Sequence, residues 1–225
     1  METPSSDAPS TDTSSIDTSA TDHLLSTTRA VRRRLDLERA VGREVILECL
    51  RLAVQAPTGG NRQTWRWVVV TDQAKRTRIA ELFREHGEGM LRRNLDKVAP
   101  DDEQGRKAYE GALYLASVLD RVPVHVIPCI EGRVDGASNA GAAGFYGSIL
   151  PAVWSFMLAL RSRGLGSVWT TIHLSREQEV AELLGIPDTV SQVALLPVAY
   201  TKGRDFKPAA RPPVEDITYW DGWAR

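Results

Sequence analysis

The sequence predicts a mixed domain, α+β or α/β, with about four strands interleaved among four or five helices. Three observations lead there. Apolar residues recur at helical spacing in several separate segments. Short β-rich runs without that spacing lie between them. Glycine or proline stands at most of the junctions, and no internal repeat breaks the series.

Residues 1–22 hold eleven Ser or Thr, two Pro and hardly any large apolar side chain, which predicts a disordered leader before a domain over 23–225. Arg43–Ala56 places Val45, Ile46, Cys49, Leu50, Ala53 and Val54 on one helical face, and Pro57 ends it. Thr58-Gly59-Gly60-Asn61 is loop chemistry, and Trp65–Thr71 is a β-rich run. Asp72 can cap a helix running to about His86. Residues 87–105, with Gly87, Gly89, Pro100 and many charges, read as an exposed, mobile connection. A helix is expected from about Asp101 to Leu119, then a strand over Val124–Ile130 and a second loop over Gly132–Gly144. Ser148–Arg163 is strongly helical and stopped by Gly164, with a short strand at Ser167–Ile172. Ser175 and Gln178 have capping-box spacing for a helix ending at Gly185-Ile186-Pro187. Gln192–Tyr200 is the last expected strand, and 201–225 is a Pro-rich, aromatic C-terminal arm.

Charge removes several function classes. The 28 Lys and Arg nearly balance 29 Asp and Glu, but five of the acids (Glu2, Asp7, Asp12, Asp17, Asp22) fall in the leader, where there is no Lys or Arg. The remaining body is mildly basic. A pI near 6.4 argues against general nucleic-acid binding. The longest apolar run, Ile149–Leu160, is too short to span a bilayer, and the N-terminus lacks signal-peptide features, so no membrane is expected. Two cysteines make no disulfide framework and suit a reducing compartment, most simply the cytoplasm.

Several motifs fail their tests. There is no P-loop string, and Gly164-Leu165-Gly166 lacks the third glycine of a dinucleotide fingerprint and leads into a strand. His125 and Cys129 would share one strand face, but two ligands without a third make a poor metal site. No nucleophile signature accompanies either cysteine.

Two segments stand out. Four of the six residues Arg29–Arg34 are arginine, whose fixed donors match phosphate geometry. Arg29 and Arg33 lie four apart and can converge on one anion, whereas Arg32 and Arg34 read as solvated basic surface. Ala56-Pro57-Thr58-Gly59-Gly60-Asn61-Arg62-Gln63-Thr64-Trp65 combines two glycines, which permit close backbone approach, with short polar groups at Thr58 and Asn61.

These segments, with Ala159–Trp169 and the terminal stretch Lys207–Glu215, resemble the FMN-dependent nitroreductase family over about residues 23–225. The resemblance implies an α+β nitroreductase-like fold, a central mainly antiparallel sheet flanked by helices, and an intertwined homodimer. It implies FMN as cofactor and NAD(P)H as co-substrate, with hydride passed to a nitroaromatic, quinone or similar flat small-molecule acceptor in a ping-pong cycle. It places Arg29 and the late Arg211 on the flavin phosphate and Arg33 at the N1/O2 edge of the ring. Ala30 and Val31 stand where the family often has Arg and Ser, so their backbone N–H groups are expected to serve the phosphate instead. Pro57, Thr58, Gly59 and Asn61 match a loop laid on the flavin by the partner subunit, and Thr170 and Thr171 fall where backbone reaches N5. No side chain is expected to act as a general acid. A cation such as Arg33 would offset the charge that reduction places near N1. Residues 87–105 and 132–144 would be lids over the acceptor pocket.

Two alternatives accompany this reading. One is a flavin-binding protein without turnover, its pocket plugged by Trp154 and the Phe145-Tyr146 pair; the other is the same fold used for a different reaction. Trp220 and Trp223 near the chain end are expected to dock on a neighbouring subunit.

Overall fold

The computed structural model describes residues 18–223. The expected leader falls mostly outside them, but Thr18–Thr27 is a helix, α1, so the described part of that leader is helical. Among the described residues the remaining helices are α2 (Arg43–Ala53), α3 (Gln73–Asp96), α4 (Glu103–Val118), α5 (Asn139–Gly147), α6 (Leu150–Ser162) and α7 (Glu177–Leu184). The strands are β1 (Trp65–Val70), β2 (Val124–Glu131), β3 (Leu165–Ser167), β4 (Val190–Gln192) and β5 (Leu196–Tyr200).

The sheet runs β1-β2-β5-β3, with β4 also on β2, and every strand pair is antiparallel. Strand β2 sits at its centre and is buried on both faces, which is why its sequence does not alternate: apolar residues point both ways, joined by the buried His125. Val124, Val126 and Ile130 face a core built with α2 and α6, including Ile46, Val153, Phe156 and Leu160. Ile127 and Cys129 face a second core with Ile79, Leu82 and Phe83 of α3 and Leu115 of α4. Helices therefore cover both faces of the sheet.

Five further expectations change. Helix α3 runs ten residues past His86, so the supposed mobile connection is largely helical. Gly87 is not a breaker there: a Cβ on it would stand 2.5 Å from Ile172 Cγ2, so the glycine lets α3 lie close against the turn that carries Ile172. The second supposed loop likewise contains α5, which Ser138 caps by accepting from the Gly141 N–H at 3.2 Å. The capping box does not form. Ser175 Oγ donates to the Ile172 carbonyl at 2.8 Å, within a 3₁₀ turn over Ile172–Arg176, and α7 starts only at Glu177.

The last strand is also split. Cys129 pairs with Gln192 but Val126 with Leu196, so three residues, 193–195, stand opposite two of β2. This is a bulge. It turns the Leu195 backbone away from β2 to exchange hydrogen bonds with Thr170, at 2.8 and 3.2 Å. The expected strand at Ser167–Ile172 is accordingly β3 ending at Ser167, followed by this single bridge.

Residues Asn139–Ser162 together are long and apolar enough to cross a membrane by composition. They form two helices meeting at Ser148–Ile149, and α6 buries Ala152, Val153, Phe156, Met157 and Leu160 against the sheet and α2.

Candidate functional site

The arginine segment is fixed by its backbone. Val31 N–H donates to the Ser167 carbonyl at 2.9 Å, Asp36 N–H to the Tyr200 carbonyl at 2.8 Å, and the Arg34 carbonyl accepts from Lys202 N–H at 2.8 Å. Val31 and Leu35 are buried beneath it. This docking needs a bare Gly166, because a Cβ there would meet Thr201 Cγ2 at 2.6 Å and Val31 Cβ at 3.0 Å. The intervening side chains line a cleft of about 540 Å³ with Lys107 and Glu110 of α4 and residues 205–207.

The charge in this cleft is unevenly matched. Arg34 pairs with Asp205 at 2.6 Å. Arg29, Arg32 and Arg33 have no carboxylate partner among the described residues. Arg33 is exposed and lies 5.2 Å from the centre of the Tyr114 ring. Arg32, read from sequence as solvated surface, is half-buried, and desolvation lowers its proton affinity. Gly111 of α4 makes room for it, since a Cβ there would approach Arg32 Cδ to 3.3 Å.

Arg32 also reaches a second, smaller cleft of about 240 Å³, walled by Trp169, Thr170, Thr171, Leu91 and Tyr109. Thus Arg29, Ala30, Arg33, Thr170 and Thr171 come together around Arg32, the residue that connects the two clefts. Sequence reasoning missed it because four adjacent arginines offer no periodic clue to burial. The signal available was its spacing of one residue from the apolar Val31, in a segment whose Val31 and Leu35 turn inward. The segment expected to be a lid does contribute to this cleft, but as helix, through Leu91.

Other expected contributors stand elsewhere. The Val31 N–H is taken by Ser167 and is not free for an anion. Pro57, Thr58, Gly59 and Asn61 line neither cleft. Their turn rests on the end of α5, where Gly59 N–H donates to Ser148 Oγ at 3.0 Å. Gln63 binds back to it, through N–H to Thr58 Oγ1 at 3.3 Å and Nε2 to Asn61 Oδ1 at 2.8 Å. Gly60, Asn61 and Gln63 all have positive φ. Arg211 lies on the exposed arm and donates to the adjacent Ala210 carbonyl, while Lys207 lines the arginine cleft. Trp154 and Tyr146 line neither cleft, and Phe145 borders a separate hollow beside Gly59. Trp154 is 42% exposed on α6, and Trp220 and Trp223 are each 84% exposed.

Behind Thr171 lies a buried pair of histidines. His125 Nε2 contacts the Leu119 carbonyl at 2.9 Å; its Nδ1 and both ring nitrogens of His173 have no partner. Burial pushes both down to about 4, with Leu119 opposing the shift at His125 and the neighbouring His125 adding to it at His173. Both thiols are buried, and desolvation raises Cys49 to about 11 and Cys129 to about 12.

A mixed protein with an antiparallel sheet under helices and a cleft of unpaired arginines at one sheet edge defines the class. The Nitroreductase family profile matches residues 25–200, and the chain belongs to that family. It is 24% identical over 186 residues to an Archaeoglobus fulgidus protein named for NADH dehydrogenase and NAD(P)H nitroreductase activity, covering 81% of this chain and 87% of that one. It is 27% identical to mouse iodotyrosine deiodinase 1 over 70% of this chain, and spans 54% of that relative's length. A crystal structure of oxidized iodotyrosine deiodinase bound to FMN and 3-iodo-L-tyrosine superposes with a TM-score of 0.66 at 22% identity, covering 91% and 98% of the two chains.

Proposed function

We propose that this chain is an FMN-dependent oxidoreductase that takes hydride from NAD(P)H and delivers it to a nitroaromatic, quinone or similar flat acceptor. The observation that carries the reading is the set of guanidinium groups at Arg29, Arg32 and Arg33 without carboxylate partners, in a cleft built by backbone docking. Unpaired cationic charge held partly out of water is unfavourable, and a phosphate-bearing anionic cofactor compensates it. Arg29 and Lys207 would hold the phosphate, with Ala30 offering its backbone. Arg32, in place of the expected Arg33, would stand beside the ring where the two clefts join, and Thr170 and Thr171 would line its other side. Bound there, FMN supplies reversible hydride acceptance and donation. The chain's own part is to bind and orient, to hold positive charge at the ring edge, and to exclude water with Leu91, Tyr109 and Trp169.

The Pro57–Asn61 turn would serve the site of a second copy in a homodimer, which accords with its exposure and its absence from both arginine-bordered clefts of its own chain. Exposed Leu52 on α2 and Leu150 and Trp154 on α6 offer apolar surface for that contact, and Trp220 and Trp223 would dock on the neighbour. The deiodinase relatives favour a second reading, the same cofactor site used for reductive dehalogenation.

The purified protein should be yellow, and anaerobic NADPH or NADH should bleach the flavin absorbance. A flavin-loaded sample that neither nicotinamide bleaches would refute the NAD(P)H reading and leave the cofactor reading standing.

A further inference from the structure

We propose that the cleft between α1, the end of α6 and the segment after β5 is a second anion site, suited to a phosphate-bearing dianion. It measures about 430 Å³ and shares no lining residue with the arginine cleft described above. Arg161, in the last turn of α6, lines it together with Arg204, Thr27 and Ser162.

Its charge has no carboxylate partner among the described residues. Arg161 Nε is buried without a hydrogen-bond partner, and its Nη2 donates to the Arg204 carbonyl at 3.1 Å. Neither Arg161 nor Arg204 pairs with a carboxylate among the described residues, because the neighbouring Asp205 is taken by Arg34. Burial and the adjacent cations Arg34 and Arg204 all lower the proton affinity of Arg161. Like charges are held together here by the fold. The Phe206 ring lies 4.2 Å from the Arg34 guanidinium carbon and 4.8 Å from that of Arg161. Gly164, at φ +75°, forms the floor, and a Cβ on it would stand 3.3 Å from Arg204 Nη2.

Two guanidinium groups with several donors match an oxyanion carrying two charges better than a single carboxylate. The cleft has room for more than inorganic phosphate, so a free phosphate and the phosphate of a small ester share the same recognition chemistry. A ligand bound here would tie α1 to α6 and to the chain after β5.

The test uses the full chain as purified. Inorganic phosphate is titrated at constant ionic strength while the thermal midpoint and the visible flavin absorbance are followed. The expected result is a saturable rise in midpoint for the wild type. Arg204→Gln should weaken it at least tenfold without altering flavin content; Arg204 is exposed and its side chain makes no hydrogen bond or ion pair among the described residues, so its loss spares the fold. Arg161→Gln should do the same, and Arg29→Gln, which touches only the other cleft, should retain the response. Tighter binding of glycerol phosphate than of inorganic phosphate would assign the site to an ester, and the reverse to the free ion. The proposal is overturned by any of three results: an unchanged titration in Arg204→Gln, a response that follows ionic strength alone, or loss of the response in Arg29→Gln. Because flavin content is read separately, failure here leaves the cofactor reading untouched.

Discussion

The arginine segment and the glycine-rich turn are equally conspicuous in sequence, yet the fold treats them in opposite ways. Residues 31–36 are tied to β3 and to the end of β5 by backbone hydrogen bonds and bury Val31 and Leu35. Residues 57–61 lie largely exposed, held by one hydrogen bond to Ser148 and by contacts within the turn, with positive φ in their midst. The first segment completes a cleft inside one chain. The second has a shaped backbone that lines neither of the two arginine-bordered clefts and borders only the hollow beside Phe145.

Acid should separate the two regions most strongly. Both buried histidines sit at about 4 in the folded chain, below the ordinary 6.5. As pH falls through 6.5 the unfolded chain takes up protons first, so stability falls progressively down to about 4 and is fully present above 6.5. The charged groups around the pair are Arg76, which adds to the shift at His125, and Asp120, which opposes it. Urea midpoints measured at pH 7 and about 4.5 should differ by several kcal/mol when converted. Hydrogen exchange should rise at 168–176 before 57–63, and exchange that rises first in the turn would break the comparison.

A substitution at Gly166 comes next. Gly166→Val forces a side chain against Thr201 and Val31, costing about 1–3 kcal/mol by overpacking. Chemical denaturation should register that loss together with loss of flavin. At Arg32 the expected effects split. Arg32→Ala should weaken flavin binding by about tenfold to a hundredfold, the value of a charge-assisted hydrogen bond, while the flavin-free protein melts no lower, since its guanidinium has no hydrogen-bond or ion-pair partner among the described residues to lose. Titration of the apoprotein with FMN and a melting curve without it measure the two halves. Asn61→Ala should cost about 1 kcal/mol, because among the described residues its side chain accepts only from Gln63 while Ala tolerates the positive φ of this position less well than Asn. Its activity should nonetheless fall, and an active-site role in trans predicts recovery of part of that activity in mixed dimers with an Arg32→Ala chain.

The sequence made the helices and strands of the core legible wherever period and burial agree, as in β2 and α6. It misled at glycines. Gly87 carries the same local signal as a loop glycine, and only its approach to Ile172 explains why a helix keeps it. The split between β4 and β5 was hidden because 193–199 is apolar throughout, so no change of pattern marks the added residue. That bulge is what aims Leu195 at Thr170 and so positions the threonines of the site. Of the residues singled out from sequence, Arg29, Ala30, Arg33, Thr170 and Thr171 line the two clefts; the burial of Arg32 and the presence of Lys207 rather than Arg211 along the cleft depend on how the chain end crosses it, which local residue types do not encode.

The hydrogen bond from Val31 to Ser167 joins residues far apart along the chain. A contact of that sequence separation bears a loop-closure entropy that local contacts do not. During synthesis, most of the chain must emerge before the arginines have a surface to rest on. If the proposed cofactor binds at these arginines, its capture requires nearly the whole chain: truncated chains would be left without their ligand, and holding it would report that the protein is finished.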